Sequence, residues 1–440
     1  MKYDYKAISL FSSSGIGDLA LRRLGIETIV ANELLEDRCD LFERNFPESY
    51  LIRGSIIEKK LEIIKETKLR LNGRELDFAL VTPPCQGMSK NGRGKLLLEI
   101  KSGRRPSIDQ RNLLILPALE IIKELKPKTI IFENVSEMVN TNIPFKGQIL
   151  PIIEIIKLSL SDYFIEPKVI EFADYGIPQR RLRLITIATR NSNLKKIRNN
   201  FLSLFPPSTH SKYPTNNQKK WVTVKDIIGK MEKLDGKDKI NSYLDPLHKI
   251  SKLDDKKYWW ISHTPKNRSA FDNQCINCGF EGNLLHKSKK NEFGINKSSK
   301  DTPLYCAQCN SLLPRPTVVK NGKLILMTGF KSAYKRIDWD LPASAITRNF
   351  PYACSDNKIH PEQNRTLSIR EACMLHTISK DDYDFKINDK KYAKTTTIRD
   401  TLGESIPPLV LEIIIKNLIN LSKNPNTIYQ KTEQQKLIFI

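Results

Sequence analysis

The feature that most constrains the fold is a regular alternation in the first 190 residues. Short runs rich in β-branched residues lie at 6–11, 28–31, 77–81, 129–132 and 183–189, and stretches with helical spacing lie between them at 18–24, 111–125 and 149–160. Strand and helix patterns that alternate in this way are typical of βαβ units. We therefore expect an α/β fold built on a doubly wound, mostly parallel sheet.

The pattern changes from about residue 191, where Asn, Ser, Lys and Pro dominate and the apolar residues lose their regular spacing. This stretch predicts a second, smaller and irregular domain. Residues 191–340 hold 28 Lys and Arg against 13 Asp and Glu, in a chain whose net charge is +23. Such a local excess favours a polyanionic partner, above all nucleic acid, although a general lysine bias would produce it too.

Composition excludes several classes of protein. Hydrophobic residues make up 40% of the 440, no apolar run reaches the roughly 18 residues of a membrane span, and the start MKYDYKAISLF shows no secretory signal. Four of the eight cysteines form two C-x-x-C pairs, which in a reducing compartment indicate a metal site. We exclude a membrane protein, a secreted disulfide scaffold and a disordered chain, and we expect a cytoplasmic protein.

Four motifs follow predicted strands, at the sheet edge where ligands bind in open α/β folds. They are SLFSSSGIGD (9–18), Glu33 after TIVAN, TPPCQGMS (82–89) and FENV (132–135). Two prolines before Cys85 and a glycine after it predict a rigid loop that presents a nucleophilic thiol, where the alternative is a small buried hydrophobe. Glu33 is placed to bind a ribose, and Glu133 to act as a proton donor, yet a surface and a capping glutamate are the alternatives.

Together with later motifs, these residues resemble the DNA cytosine-5 methyltransferase family. The later motifs are QRRLR (179–183) after DYGIP, ITRNF (346–350), IHPEQNR (359–365), SIREA (368–372) and LGESIPP (402–408). The resemblance implies a Rossmann-like fold that uses S-adenosyl-L-methionine (AdoMet). It implies a catalytic domain over 1–190, a target-recognition domain over 191–342 and a return to the catalytic domain over 343–422 with the C-terminal helix. A polar tail over 423–440 is expected to be mobile.

The resemblance also implies the roles of the site residues. Cys85 would add to C6 of a cytosine flipped out of the duplex, Glu133 would serve N3 and the exocyclic amine, and Arg183 would hold O2, with Arg181 and Gln179 ordering their loop. The implied cofactor-binding residues are Phe11, Ser13, Gly15, Gly17, Glu33, Ser55, Ile56, Pro84, Glu404 and Ser405. Four of the family's usual residues are replaced, by Ser9, Ser13, Ser55 and Glu404, and all four replacements concern the cofactor.

The recognition region contains C275-I-N-C278 and C306-A-Q-C309, each followed by a residue that tolerates a left-handed turn. Four thiolates suit a closed structural zinc site, and unligated cysteines are the alternative. The site would be an insertion at about 275–309 that stiffens the recognition region. Elsewhere in this region, Trp221, Trp259, Trp260 and Arg336 are predicted to contact phosphates or base edges, with an ordinary core as the alternative. Cys39, Cys354 and Cys373 are expected to be core or near-site residues.

We therefore expect a DNA (cytosine-5-)-methyltransferase that acts on double-stranded DNA, is a monomer, and protects host DNA in a restriction system that includes a cognate endonuclease. Two alternatives stay open. One is an enzyme that methylates cytosine in tRNA, and the other is a non-catalytic DNA-binding relative.

Overall fold

A computed structural model describes residues 4–84, 109–199, 202–290, 296–299, 301–329 and 331–424. Its centre is a seven-stranded sheet of order β3-β2-β1-β4-β5-β10-β8. The strands are β1 (Tyr5–Leu10), β2 (Ile26–Glu33), β3 (Tyr50–Arg53), β4 (Phe78–Val81), β5 (Thr129–Val135), β8 (Phe164–Glu171) and β10 (Leu182–Thr189). Two-stranded pairs are formed by β6 (Asn142–Phe145) with β7 (Gln148–Pro151), by β9 (Gln179–Arg180) with β17 (Ala343–Ser344), and by the short strands of the irregular region.

The first five strands of the sheet are parallel, whereas β10 runs antiparallel to both β5 and β8. The strand order reverses between β1 and β4, so the crevice for a ligand opens beyond their carboxyl ends. Residues 11–18 follow β1 and residues 82–84 follow β4, which places two of the four early motifs side by side at this switch point. The mostly parallel α/β sheet agrees with the prediction.

Helices cover both faces of the sheet. In chain order they are α1 (Leu19–Arg23), α2 (Glu36–Asn45), α3 (Ile56–Leu71), α4 (Ile115–Leu125), α5 (Ile152–Ser159), α6 (Ser192–Asn199), α7 (Val224–Ile228), α8 (Asp255–Ser262), α9 (Ile369–Leu375), α10 (Thr395–Glu404) and α11 (Pro408–Lys423). Apolar residues of α3, α4 and α5 pack on one face, and those of α1, α6 and α11 pack on the other. The C-terminal helix α11 thus returns to the sheet, as the resemblance implied.

The region after residue 200 has short strands and two small cores. Its strands are β11 (His210–Ser211), β12 (Lys219–Lys220), β13 (Ser288–Lys290), β14 (Asn296–Ser298), β15 (Thr317–Lys320) and β16 (Lys323–Leu326), and β18 (Lys386–Asn388) and β19 (Lys391–Tyr392) follow near the end of the chain. One core surrounds Trp260, Phe271 and Tyr334, and the other contains Cys275, Cys306 and Leu313. Within the described residues, no helix is long and apolar enough to cross a membrane. The domain boundaries stay a prediction, and residues 425–440 of the predicted tail lie outside the described residues.

Candidate active site

The backbone that leads to Cys85 is held at three points. Thr82 donates its N–H to Leu10 O (3.2 Å) and its hydroxyl to Phe11 O (3.0 Å). Asn134, the second residue of the E-N-V motif, donates its Nδ2 to Pro83 O (3.1 Å). Cys85 itself lies outside the described residues, and Pro84 is the last residue described before it. The stiff approach expected from the paired prolines is therefore supported by both neighbouring strands.

Glu133 is a buried carboxylate in the sheet. It lies on β5 opposite Ile185 of β10, and Arg183 of β10 lies opposite Val135. The Arg183 Nε is 3.1 Å from Glu133 Oε1, in an ion pair without hydrogen-bond alignment, so Oε1 retains an unused acceptor position. Burial raises the pKa of Glu133 above its ordinary value, although Arg183 and Arg181 act to lower it. A carboxyl with a raised pKa holds its proton more readily than an ordinary glutamate and can give it to a ligand.

Arg181 and Gln179 do not face a substrate but bind the C-terminal part of the chain. The buried Arg181 guanidinium donates to three backbone carbonyls, those of Ile346 (2.8 Å), Gly403 (3.1 Å) and Ser405 (3.0 Å). Gln179 accepts the N–H of Ile346 (3.1 Å). These contacts agree with the predicted loop-ordering role and place Arg181 as a positioning residue rather than a group in contact with a base.

His376 is a residue of this region that the sequence reasoning missed. Its Nδ1 lies 3.1 Å from Gln179 Nε2, and its Nε2 lies 3.0 Å from Ser405 Oγ. Burial lowers its pKa well below the ordinary value, so the ring is neutral. Because the Gln179 side-chain nitrogen can only donate, His376 Nδ1 accepts and its Nε2–H donates to Ser405, a tautomer that follows from the partners. A single histidine at the end of a helix gives no sequence signal for this role.

The loop after β1 has the shape expected of a cofactor cradle. Phe11, Ser13 and Gly15 all have positive φ, at 62°, 50° and 79°. Glu33 accepts the N–H of Ser13 (2.8 Å) with one carboxylate oxygen and the N–H of Leu35 (2.9 Å) with the other. The buried hydroxyls of Ser13 and Ser14 find no hydrogen-bond partner among the described residues. Unused hydroxyls beside a fixed carboxylate fit the amino acid and ribose parts of AdoMet.

The other predicted cofactor residues lie around this loop but have structural partners too. Gly54 donates its N–H to Glu33 O (2.8 Å), which brings Ser55 and the buried Ile56 next to Glu33, and Ser55 Oγ caps α3. A side chain at Gly15 would meet the Phe46 ring at 2.4 Å, so packing alone requires a glycine there, whereas a Cβ at Gly17 would have room. Glu404 forms an ion pair with Arg38 (2.8 Å).

Asp18 is a second residue that was missed. It is 1% exposed below the cofactor loop, and it accepts hydrogen bonds from Ser9 Oγ (3.1 Å) and Thr28 Oγ1 (3.2 Å). Burial raises its pKa to about 7, against the lowering effect of the two hydroxyls. The resemblance implied an aspartate at residue 9, where this chain has Ser9, and the Asp18 carboxylate accepts a hydrogen bond from the Ser9 hydroxyl. The replacement of an acid at residue 9 was visible in the sequence, but this contact was not.

Comparison with known proteins identifies the family. The profile of the C-5 cytosine-specific DNA methylase family matches residues 5–420. The chain belongs to this family. Among curated proteins, the type II methyltransferase M1.HgaI of Avibacterium volantium is 28% identical, over 96% of this chain and 99% of its own length. M1.HphI of Haemophilus parahaemolyticus is 24% identical, over 95% of this chain and 87% of its own.

A solved structure shares the fold of this methyltransferase. An Escherichia coli prophage protein described as a DNA modification methyltransferase superposes with a TM-score of 0.55, at 19% identity, over 95% of this chain and 99% of its own. The family suggested by the motifs and the AdoMet-dependent methyltransferase fold are thereby confirmed, and the enzyme class is DNA (cytosine-5-)-methyltransferase.

The methyltransferase also contains a four-cysteine cluster in its irregular region. The Sγ atoms of Cys275, Cys278, Cys306 and Cys309 lie within 4.8 Å of one another, and the pairs Cys275–Cys309 and Cys278–Cys306 are 3.5 and 3.7 Å apart. Four thiolates bound tetrahedrally to zinc at about 2.3 Å would be roughly 3.8 Å apart. Gly279 and Asn310 have the left-handed φ values of 70° and 57°. The geometry fits a closed metal site without backbone movement.

Two predictions about other residues were wrong. Trp260 and Arg336 are 3% and 4% exposed, so neither is available to DNA. Trp260 belongs to a core, and Arg336 donates to backbone carbonyls that include those of Thr264 and His360. Of the three cysteines expected in the core or near the site, Cys39 and Cys373 are buried, whereas Cys354 is exposed and is therefore not a core residue. The half-buried Trp221 donates its Nε1 to Asp174 (2.9 Å).

Proposed function

We propose that this methyltransferase adds a methyl group to C5 of a cytosine that is flipped out of a specific site in double-stranded DNA, through a transient bond between Cys85 and C6. The observation that carries the proposal is the buried Glu133 beside Arg183, next to the braced backbone that enters Cys85. We infer that the protein is the modification enzyme of a restriction system with a cognate endonuclease, in line with the type II methyltransferases that it resembles.

The chemistry requires each of these groups. The C5 carbon of cytosine is a poor nucleophile until a thiolate adds to C6 and makes the ring an enamine. Addition is favoured when Glu133 gives a proton or hydrogen bond to N3 and accepts one from the exocyclic amine. Arg183 donates to O2 and stabilises the charge that develops in the ring. After C5 has taken the methyl group, loss of the C5 proton expels the Cys85 thiolate and restores aromaticity.

AdoMet supplies the electrophilic methyl group when bound. Glu33 would hold the ribose hydroxyls, and Ser13 and Ser14 would bind the amino acid part with their unused hydroxyls. The contacts of Gly403 and Ser405 with Arg181 keep the last family motif beside the base-binding loop.

The proposal predicts labelled methyl transfer from AdoMet to duplex DNA by the wild type and none by Cys85→Ser. Cys354→Ser is the matched control, because Cys354 is an exposed thiol that we assign no role, and it should be fully active. Duplex DNA with 5-fluorocytosine at the target should trap a covalent adduct. Transfer to tRNA but not to DNA, or full activity of Cys85→Ser, would overturn the proposal, and bisulfite sequencing of the product would identify the site.

We also propose that the four-cysteine cluster binds one structural zinc ion. Four thiolates leave no open coordination position, so the metal would stiffen the region and take no part in methyl transfer. Metal analysis of the purified protein should find one zinc per chain, Cys306→Ser should lose it, and Cys354→Ser should keep it. Wild-type protein without zinc would refute this assignment.

A further inference from the structure

The hairpin formed by β15 and β16, here called the arm (Thr317–Leu326), projects from the irregular region. Its turn is Asn321–Gly322, with φ values of 51° and 73°, which is the pattern of a tight two-residue hairpin. Val318, Val319 and Ile325 are 44%, 58% and 39% exposed. A two-stranded ribbon with apolar side chains in solvent is marginally stable by itself, so the arm is suited to a partner that covers it.

One face of the arm combines apolar and positive side chains. Val318 lies opposite Ile325, and Lys320 lies opposite Lys323 one step nearer the tip, which puts both pairs on the same face. All four side chains are exposed. Two lysines directly opposite each other repel, and this repulsion is relieved when an anion lies between them. The tip therefore suits a negatively charged partner.

The chain segment that contains the arm carries charge of one sign. Residues 302–337 contain six Lys and Arg and no Asp or Glu, and the four lysines among them are not buried. Charge complementarity therefore selects a polyanion as the partner. A protein could cover the arm only if its surface combined acidic side chains with an apolar patch. The major groove of DNA admits a two-stranded ribbon, with phosphates at its edges for lysines and thymine methyl groups on its floor for valine and isoleucine.

The base of the arm is hydrogen-bonded to the segments that carry the four-cysteine cluster, here called the cysteine unit (residues 273–309). Arg315, which is fully buried, donates Nε to Asn273 O (2.8 Å) and Nη1 to Pro303 O (3.0 Å), and Asn273 Nδ2 donates to Pro314 O (2.6 Å). Asn273 and Pro303 each precede a C-x-x-C pair by two or three residues. The cysteine unit thus determines the direction in which the arm points.

We propose that the arm enters the major groove of the substrate duplex, with Lys320 and Lys323 on phosphates and Val318 and Ile325 on base edges, so that it is a specificity-determining element of the enzyme. This inference rests on the proposed DNA methyltransferase function and deepens it.

The test compares the salt dependence of duplex binding by the full chain. Each lysine–phosphate contact contributes about 0.9 to the slope of log affinity against log salt, so K320Q/K323Q should reduce the slope by about 1.8. The control is K390Q/K391Q, which removes two lysines from the exposed turn and strand of another hairpin and should keep the wild-type slope. V318T/I325T should keep the salt slope but lower, roughly tenfold, the preference for the sites that the enzyme methylates over random DNA.

The outcomes separate the arm from the function itself. Failure of the wild type to methylate duplex DNA would refute the proposed function. If the wild type is active but both arm variants keep its salt slope and its site preference, the inference about the arm is overturned and the proposed function is not. The same holds if the arm variants lose self-association in sedimentation while their DNA binding stays intact, because the arm would then bind a second copy of the chain.

Discussion

Replacement of Asp18 by asparagine tests the electrostatics below the cofactor loop. The folded protein holds the proton of Asp18 more tightly than the unfolded chain, because burial raises its pKa from 3.8 to about 7. The wild type therefore loses stability as pH rises from about 4 to about 7, since ionisation then has to occur in a buried place. The amide of D18N does not ionise, and the Ser9 and Thr28 hydroxyls can rotate to serve it.

The magnitude follows from the size of the shift. One pKa unit corresponds to about 1.4 kcal/mol, so ionising Asp18 in the folded state costs on the order of 4 kcal/mol above pH 7 and less than half of that at pH 5. We expect the stability of D18N relative to the wild type to increase by about 2.5 kcal/mol between pH 5 and pH 8.

Urea unfolding of both proteins at pH 5, 6, 7 and 8 measures this difference, provided that the m values agree. The control is D245N. Burial acts to raise the pKa of Asp245, but its hydrogen bonds with Arg370 and the Leu247 N–H lower it overall, so its contribution is constant between pH 5 and pH 8. A D18N difference that does not vary with pH would refute the reasoning.

Two further predictions concern the active site, and a third concerns the four-cysteine cluster. Replacing His376 by leucine should raise the KM for AdoMet and lower kcat about tenfold. H376Q keeps one hydrogen-bond acceptor and one donor and should restore both parameters. Equal losses in the two variants would contradict the positioning role. E133Q should lower kcat by roughly 10²- to 10⁴-fold. We expect the wild-type rate to fall as pH rises through the raised pKa of Glu133 and the E133Q rate not to, so an alkaline fall that persists in E133Q would refute the proton-donor role. Removal of metal by a chelator should weaken duplex binding and leave AdoMet binding unchanged in calorimetry, because Arg315 joins the segments that precede the two cysteine pairs to the base of the arm. Equal losses of duplex binding and AdoMet binding would contradict a role of the metal in DNA binding alone.

The sequence predicts best what depends on local pattern. The β-branched runs located β1, β2, β4, β5 and β10 to within a few residues, since each of these strands has a buried and mostly apolar central part. The edge strand β8 was missed because FIEPKVIE contains a proline and three charged residues, which are tolerated only at the edge of a sheet. Its antiparallel pairing with β10 depends on the connection between them, which periodicity does not reveal.

Tertiary partners decide the residues that the sequence could not assign. Tryptophan and arginine are common in nucleic-acid interfaces, but the Arg336 side chain fills a core because several carbonyls converge on it. For Asp18 and His376 the reverse holds, because the structure assigns them a role that the sequence did not suggest. Asp18 ends the motif at 9–18 and His376 follows the motif at 368–372, but neither motif reveals what the residue does. The role of Asp18 comes from contacts with residues 9 and 28, and that of His376 from contacts with residues 179 and 405.

The hydrogen bonds around Arg181 have a consequence for how the site is assembled. Gln179, Arg181, Ile346, His376 and Ser405 come from distant parts of the chain, yet they form one buried network in which each acceptor is a backbone carbonyl or a neutral side chain. The Arg181 guanidinium lies among these backbone carbonyls, so its buried charge is stabilised best when all of them are in place. We therefore expect the last family motif to dock before Arg183, two residues further on, is in place to hold a base. On the proposed function, this network would couple binding at the cofactor segment to binding at the base pocket, so a defect at Ser405 should weaken both.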